Sequence, residues 1–160
     1  MESFNRSNGR SSNHGHCAES EENKEAVAFG AVEASWSSRL ENLVREMNPS
    51  IGVQAIKNAV EANKFKAFEV FINESSIGFL IARIDTLADG SREFVSLHSL
   101  SEVKGRTPLV MITSILLEVL AKKFACTSIC CFSDRLGWDG VLKRAGFEYV
   151  ESIHKKKVEI

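Results

Sequence analysis

The stretch that most limits what this chain can become runs from Phe65 to Phe124, where a β-rich block passes without a linker into a long apolar helix. Phe65, Ala67, Phe68, Val70, Phe71 and Ile72 form an apolar, β-prone run, and Asn73-Glu74-Ser75-Ser76 breaks it. Ile77 to Ile84 resumes the pattern, Asp89-Gly90 marks a second turn, and Phe94, Val95, Leu97 and Leu100 continue in extended form. Short turns allow only neighbouring pairing, so this block reads as a meander of three antiparallel strands. Thr107-Pro108 then opens a helix, with the hydroxyl as cap and proline at the first helical position. That helix, 108–124, is apolar at Leu109, Val110, Ile112, Leu116, Leu117, Leu120 and Phe124, so it must pack against a sheet.

The chain beyond this helix implies a parallel step. Thr127 to Phe132 reads as a strand, and a strand reached through a crossover helix lies parallel to the one before it. A shorter helix over Gly137 to Ala145 and a last strand over Phe147 to Ile153 complete this half. Ahead of the block, Val32, Trp36, Leu40, Val44 and Met47 repeat at helical spacing, predicting a helix over 31–47 that Asn48-Pro49-Ser50 ends. Ile51 to Asn63 reads as a second helix, striped by Val53, Ile56, Ala59 and Val60. The segment AVAFGAV (26–32) is a weak candidate for a short first strand, given Gly30 and its alanines. The fold class is α+β: a mixed, mostly antiparallel sheet with helices on both faces and one parallel crossover step.

Residues 1–25 differ in kind. Only Met1, Phe4, Cys17 and Ala18 are apolar there, so the segment is expected to be a flexible polar tail ahead of a domain spanning 26–160. No apolar core follows its charged start, and no later run reaches the ~18 apolar residues of a membrane span, so a soluble, cytoplasmic protein without a membrane partner is expected. Lys plus Arg number 20 against 21 Asp plus Glu, a formal net charge of −1. Such a balance argues against a general nucleic-acid coat or a polybasic membrane binder, which depend on long-range attraction to phosphates. His14, His16 and Cys17 lack the paired spacing of a zinc site, and no metal is expected. Cys126, Cys130 and Cys131 read as reduced thiols in or beside a buried strand. Cys130 and Cys131 would face opposite sides, and Cys126 and Cys130, on one face by even spacing, would lie too far apart to bridge. Lys155-Lys156-Lys157 reads as a solvated edge.

The element order, closed by RAGFEYV (144–150), resembles the GNAT acyl-CoA N-acyltransferases over roughly residues 30–155. The sharpest likeness is local: a strand, the turn Lys104-Gly105-Arg106, a capped helix, a strand, and a short helix ending in Gly146-Phe147. The LHSL…KGR stretch is similar to phage-encoded GNAT-like proteins in particular. The resemblance implies acetyl-CoA as cofactor, bound by Leu100, Lys104, Gly105, Arg106, Thr107 and Asp134. Independently of the name, unpaired N–H groups at a helix start attract a pyrophosphate, and Lys104 and Arg106 would strengthen that attraction. The resemblance also implies a small-molecule or protein amine as acceptor, and phage structural proteins as partners in an assembly role.

For catalysis, Glu93 matches where the family sometimes places a base, His98 on the same strand is of the residue type whose ordinary pKa suits that task, and Ser99 brings a hydroxyl. Glu93 reads more readily as a strand-end charge in water, and His98 equally well as a partly buried histidine bonded to a neighbouring strand or loop. The chain departs from the family pattern in three places. Thr107 and Leu109 stand at its small-residue positions, and Leu142 stands where its tyrosine acid falls. Leucine cannot protonate a departing thiolate.

Overall fold

The computed structural model describes residues 28–102, 115–132 and 138–150. Within them, five strands form one sheet in the order β1-β2-β3-β4-β5: β1 (Phe29–Ala34), β2 (Lys66–Ile72), β3 (Ser75–Thr86), β4 (Arg92–Ser101) and β5 (Ser128–Cys131). The first four pair antiparallel, and β5 lies parallel to β4. Helices α1 (Ser38–Met47) and α2 (Val53–Glu61) fall between β1 and β2, α3 (Leu117–Lys123) between β4 and β5, and α4 (Trp138–Arg144) after β5. The mixed sheet and its parallel step are those expected from the sequence.

Strand alternation sends alternate residues of β2 and β3 into two separate cores. Leu40 and Val44 of α1 and Ile56 of α2 pack on Ala67, Phe79, Ile81 and Leu100 from one face. Leu116, Leu117, Leu120 and Ala121 pack on Phe68, Val70, Leu80, Ala82 and Phe94 from the other. Phe68, Phe94 and Phe124 meet there with ring centroids 5.8–6.5 Å apart. β3 is buried on both sides from Ile77 to Ala82, which explains its unbroken apolar run.

Four sequence expectations need correction. The helix expected from Ala31 begins at Ser38, because the Ser37 hydroxyl accepts from the Leu40 N–H at 3.2 Å and caps it there. Residues 29–34 instead pair with β2, so the weak first strand is real and ends two residues later than expected. The turn after β2 is only Asn73-Glu74, both with positive φ, and Ser75 and Ser76 already pair with Ile72 and Phe71. Finally, Phe147–Val150 is not a strand, and Tyr149 and Val150 are 79% and 87% exposed. The part of that expected strand from 151 to 153, the N-terminal tail and the Lys155–Lys157 run lie outside the described residues.

Gly146-Phe147, which carried part of the resemblance, has a local physical role. Gly146 at φ +90° donates to the Lys143 carbonyl at 3.1 Å, and Phe147 donates to that of Leu142 at 2.9 Å. This is the left-handed stop that closes a helix, and it turns Phe147 onto the core beneath α3.

Candidate functional site

The site is built on an irregularity in β4. Ala82 pairs with Ser96, yet Ile81 pairs with His98, so Leu97 is an extra residue, a bulge, in β4. Two successive side chains therefore serve the same face: Leu97 packs on the α1/α2 core, and His98 lies opposite Ile81 of that core. Beyond the bulge, Leu100 continues on this face, and Ser99 and Ser101, opposite Leu80 and Gly78, take the face of α3.

The bulge coincides with the end of the parallel ladder. The β4–β5 pairs run from Glu93↔Ser128 to Ser96↔Cys131, and β4 continues to Ser101 beyond them. A bulge bends its strand and increases the local twist, and this one sits where the pairing with β5 ends. β4 is thus enclosed by β3 and β5 over its first half. Its second half runs past the end of β5.

Gly78 holds this second half close to β3. Its φ is +150°, and a Cβ built on it would lie 1.9 Å from the Leu100 carbonyl oxygen. Only glycine lets the strands approach so closely. Beside this contact lies a shallow apolar groove, lined by Val70, Ile77, Phe79, Ser99, Leu100 and Ser101 among others.

The sequence candidates divide accordingly. His98, Ser99 and Leu100 lie together just past the bulge. Glu93 lies at the enclosed end, five residues earlier, which is about 16 Å along a strand. Its Oε2 accepts from the Ser128 hydroxyl at 3.0 Å, a rung tying β4 to β5. The structure does not bring Glu93 to His98 and Ser99. Lys104, Gly105, Arg106, Thr107, Leu109 and Asp134 lie outside the described residues, and Leu142 is a partly buried residue of α4.

Cys126 and Cys131 are poor candidates for a nucleophile. Cys126, Cys130 and Cys131 are reduced, and burial first, then the neighbouring Cys130, pushes the Cys131 thiol up to about 11, while a bond with Ser96 acts the other way. Burial also raises Cys126. It is Cys126 and Cys131, not Cys126 and Cys130, that share a face, since Cys126 precedes the strand and packs with Cys131 on the core beneath α3. Among the described residues no group of side chains could hold a metal ion, and no helix is long and apolar enough to cross a membrane.

Sequence reading missed two features. One is Leu97, which no residue type announces. The other is Arg39 of α1, whose guanidinium meets Glu69, Ser76 and Glu102 from three strands or their ends.

No family model matches the chain, and no curated protein does. Solved structures do. A predicted acetyltransferase from Clostridium acetobutylicum, solved with acetyl-CoA, is 15% identical at a TM-score of 0.59, covering 81% of this chain and 96% of that one. The aminoglycoside N-acetyltransferase AAC(6')-Iy in complex with CoA is 14% identical at 0.58, covering 86% and 99%. A ribosomal-protein-alanine N-acetyltransferase from Brucella melitensis biovar Abortus 2308 is 11% identical at 0.58, covering 83% and 99%. A transcriptional regulator from Bacillus halodurans C-125 is 17% identical at 0.57, covering 82% and 100%. At such identities the likeness speaks for the fold, on which more than one activity is built. The chain has the fold of the GNAT acetyltransferases.

Proposed function

We propose that this protein is an acetyl-CoA-dependent N-acyltransferase in which an amine attacks the thioester directly. The observation that carries this reading is the run of β4 past the end of β5: the Leu97 bulge sits where that pairing ends, and His98–Ser101 lead on, in sequence, to Lys104-Gly105-Arg106. A strand running past its neighbour's end is suited to an extended chain of amides, such as the pantetheine arm of coenzyme A, by strand addition. The residues present therefore fit the group. Bound there, acetyl-CoA would supply an activated acyl carbon and a thiol leaving group.

The chain's own residues divide the remaining work. Leu100 walls the arm, and Lys104, Gly105, Arg106 and Thr107, with Asp134, hold the phosphate end. His98 takes the proton of the attacking amine, directly or through water, and Ser99 orients the reacting group. Glu93 is too far along the strand to share that task with His98. Leu142 provides no acid, so the thiolate takes its proton from solvent. Two of the similar structures bear the names of a small-molecule and a protein N-acetyltransferase, and the acceptor here is accordingly a small-molecule or a protein amine.

Calorimetry with acetyl-CoA, followed by a thiol-release assay over a panel of amines, tests this reading. Saturable binding that Gly105→Trp and Arg106→Glu abolish supports it. No heat at millimolar coenzyme overturns it. Leu142 favours a second reading, a binding module of phage particles that keeps the fold without turnover, with phage structural proteins as partners. Its signature is recovery of the protein in purified particles together with no thiol release.

A further inference from the structure

Arg39 occupies the first turn of α1, just after the Ser37 cap. A cation there opposes the helix dipole, which favours negative charge at that end. Glu41 in the same turn supplies the acidic group that the dipole favours, and the Arg39 guanidinium turns away to the sheet. Its Nη1 donates to Glu69 Oε1 of β2 at 2.5 Å, its Nη2 to Ser76 Oγ of β3 at 2.6 Å, and its Nε to Glu102 Oε1 at 2.6 Å. Its plane also lies 5.0 Å from the Phe79 ring centroid. Glu69, Phe79 and Leu100 are consecutive rungs across β2, β3 and β4 on the α1 face. The side chain therefore spans the row that ends at Leu100 and closes on Glu102, the residue next after β4.

Glu102 is itself pinned, since its N–H donates to the Ile77 carbonyl at 2.8 Å. It stands two residues before Lys104 in the chain. One planar fork thus ties α1 to β2, β3 and the residue that follows β4. Lysine, a single flexible point charge, has no such fork geometry.

We propose that Arg39 is a positioning residue for coenzyme binding: it fixes the end of β4 relative to α1, so that His98–Ser101 are held ready for acetyl-CoA. This rests on the reading of that segment as the coenzyme site.

The test uses the full chain and the variants Arg39→Lys, Arg39→Ala and Glu102→Gln, with two readouts. Amide hydrogen exchange without ligand should quicken about tenfold at Leu100–Glu102 in each variant, through local opening, while β2 and β3 keep their protection. Acetyl-CoA affinity should fall roughly tenfold, an ordinary coupling between linked sites, and appear as a raised KM for acetyl-CoA with kcat little changed. If Arg39→Ala fails to fold, Glu102→Gln decides, because it removes one charge and keeps the shape. Wild-type exchange and wild-type affinity in a folded Glu102→Gln would overturn the proposal. Should the wild-type chain bind no acetyl-CoA, the acyltransferase reading fails, and with it the coenzyme role of Arg39. Quickened exchange would then leave Arg39 as a strut for the end of β4 alone.

Discussion

The two halves of β4 are one strand in sequence and two environments in space. Arg92–Ser96 is flanked by β3 and β5, and its Phe94 and Val95 are fully buried. Leu97–Ser101 shares β3 but extends beyond β5, and apart from Leu100 its residues are only partly buried. The inserted residue, Leu97, marks the boundary between them. The enclosed half commits its side chains to packing. The other half stays in the sheet through β3 and carries the partly buried His98, Ser99 and Ser101 past the end of β5.

This contrast is broken most severely from the enclosed half. Phe94→Ala should cost about 3–5 kcal/mol, since it empties the centre of the Phe68–Phe94–Phe124 group, and urea melts would read the loss. Gly78→Ala comes next at about 3 kcal/mol, because its Cβ collides with the Leu100 carbonyl and its φ is strained. That variant should lose coenzyme binding along with stability, since it displaces the open half.

A sharper test deletes Leu97. The β3–β4 register would then run without a shift, and every later side chain would keep its face. The packing of Leu97 on the α1/α2 core and the bend where the β5 ladder ends would be lost. Acetyl-CoA affinity should drop by more than about tenfold, or ~1.4 kcal/mol, with the cooperative thermal transition retained. Unchanged affinity would show that the bulge does not make the site.

Acid provides a milder perturbation. The Ser76 hydroxyl and then the Arg39 guanidinium hold the Glu69 carboxyl below its usual range. Stability from this group is therefore complete above the ordinary carboxylate range and disappears as pH falls through the depressed value. Protection at Leu100–Glu102, corrected for the intrinsic exchange rate, should fall in that acidic window, and Glu69→Gln should weaken this pH dependence, with the Arg39–Glu102 pair supplying the remainder. The smallest effect belongs to Glu93→Gln. It should cost under about 1 kcal/mol and leave acetyl-CoA affinity and turnover unchanged, because Glu93 ties β4 to β5 at the enclosed end.

How much of this the sequence displays depends on the range of the interactions. The meander, the parallel step and the helical stops show because turns, caps and apolar periods are local. The first strand is obscured because Val32, Trp36 and Leu40 happen to fall at helical spacing. In the fold Val32 is an exposed residue of β1 and only Leu40 belongs to α1. Ser37, the cap, was the available signal. The Leu97 bulge has no such sign: no glycine or proline marks it, and it exists only relative to β3. Arg39 is equally silent, since its partners lie 30, 37 and 63 residues away. His98, Ser99 and Leu100 could be selected by residue type, whereas the separation of Glu93 from them needed the strand itself.

The most direct measurement follows the backbone amides of β4 by NMR while acetyl-CoA is added to the full chain. A coenzyme site at the open half predicts saturable shifts concentrated at Leu97–Glu102, with Arg92–Val95 nearly unmoved. Shifts spread evenly along β4, or concentrated at β1 instead, would contradict it.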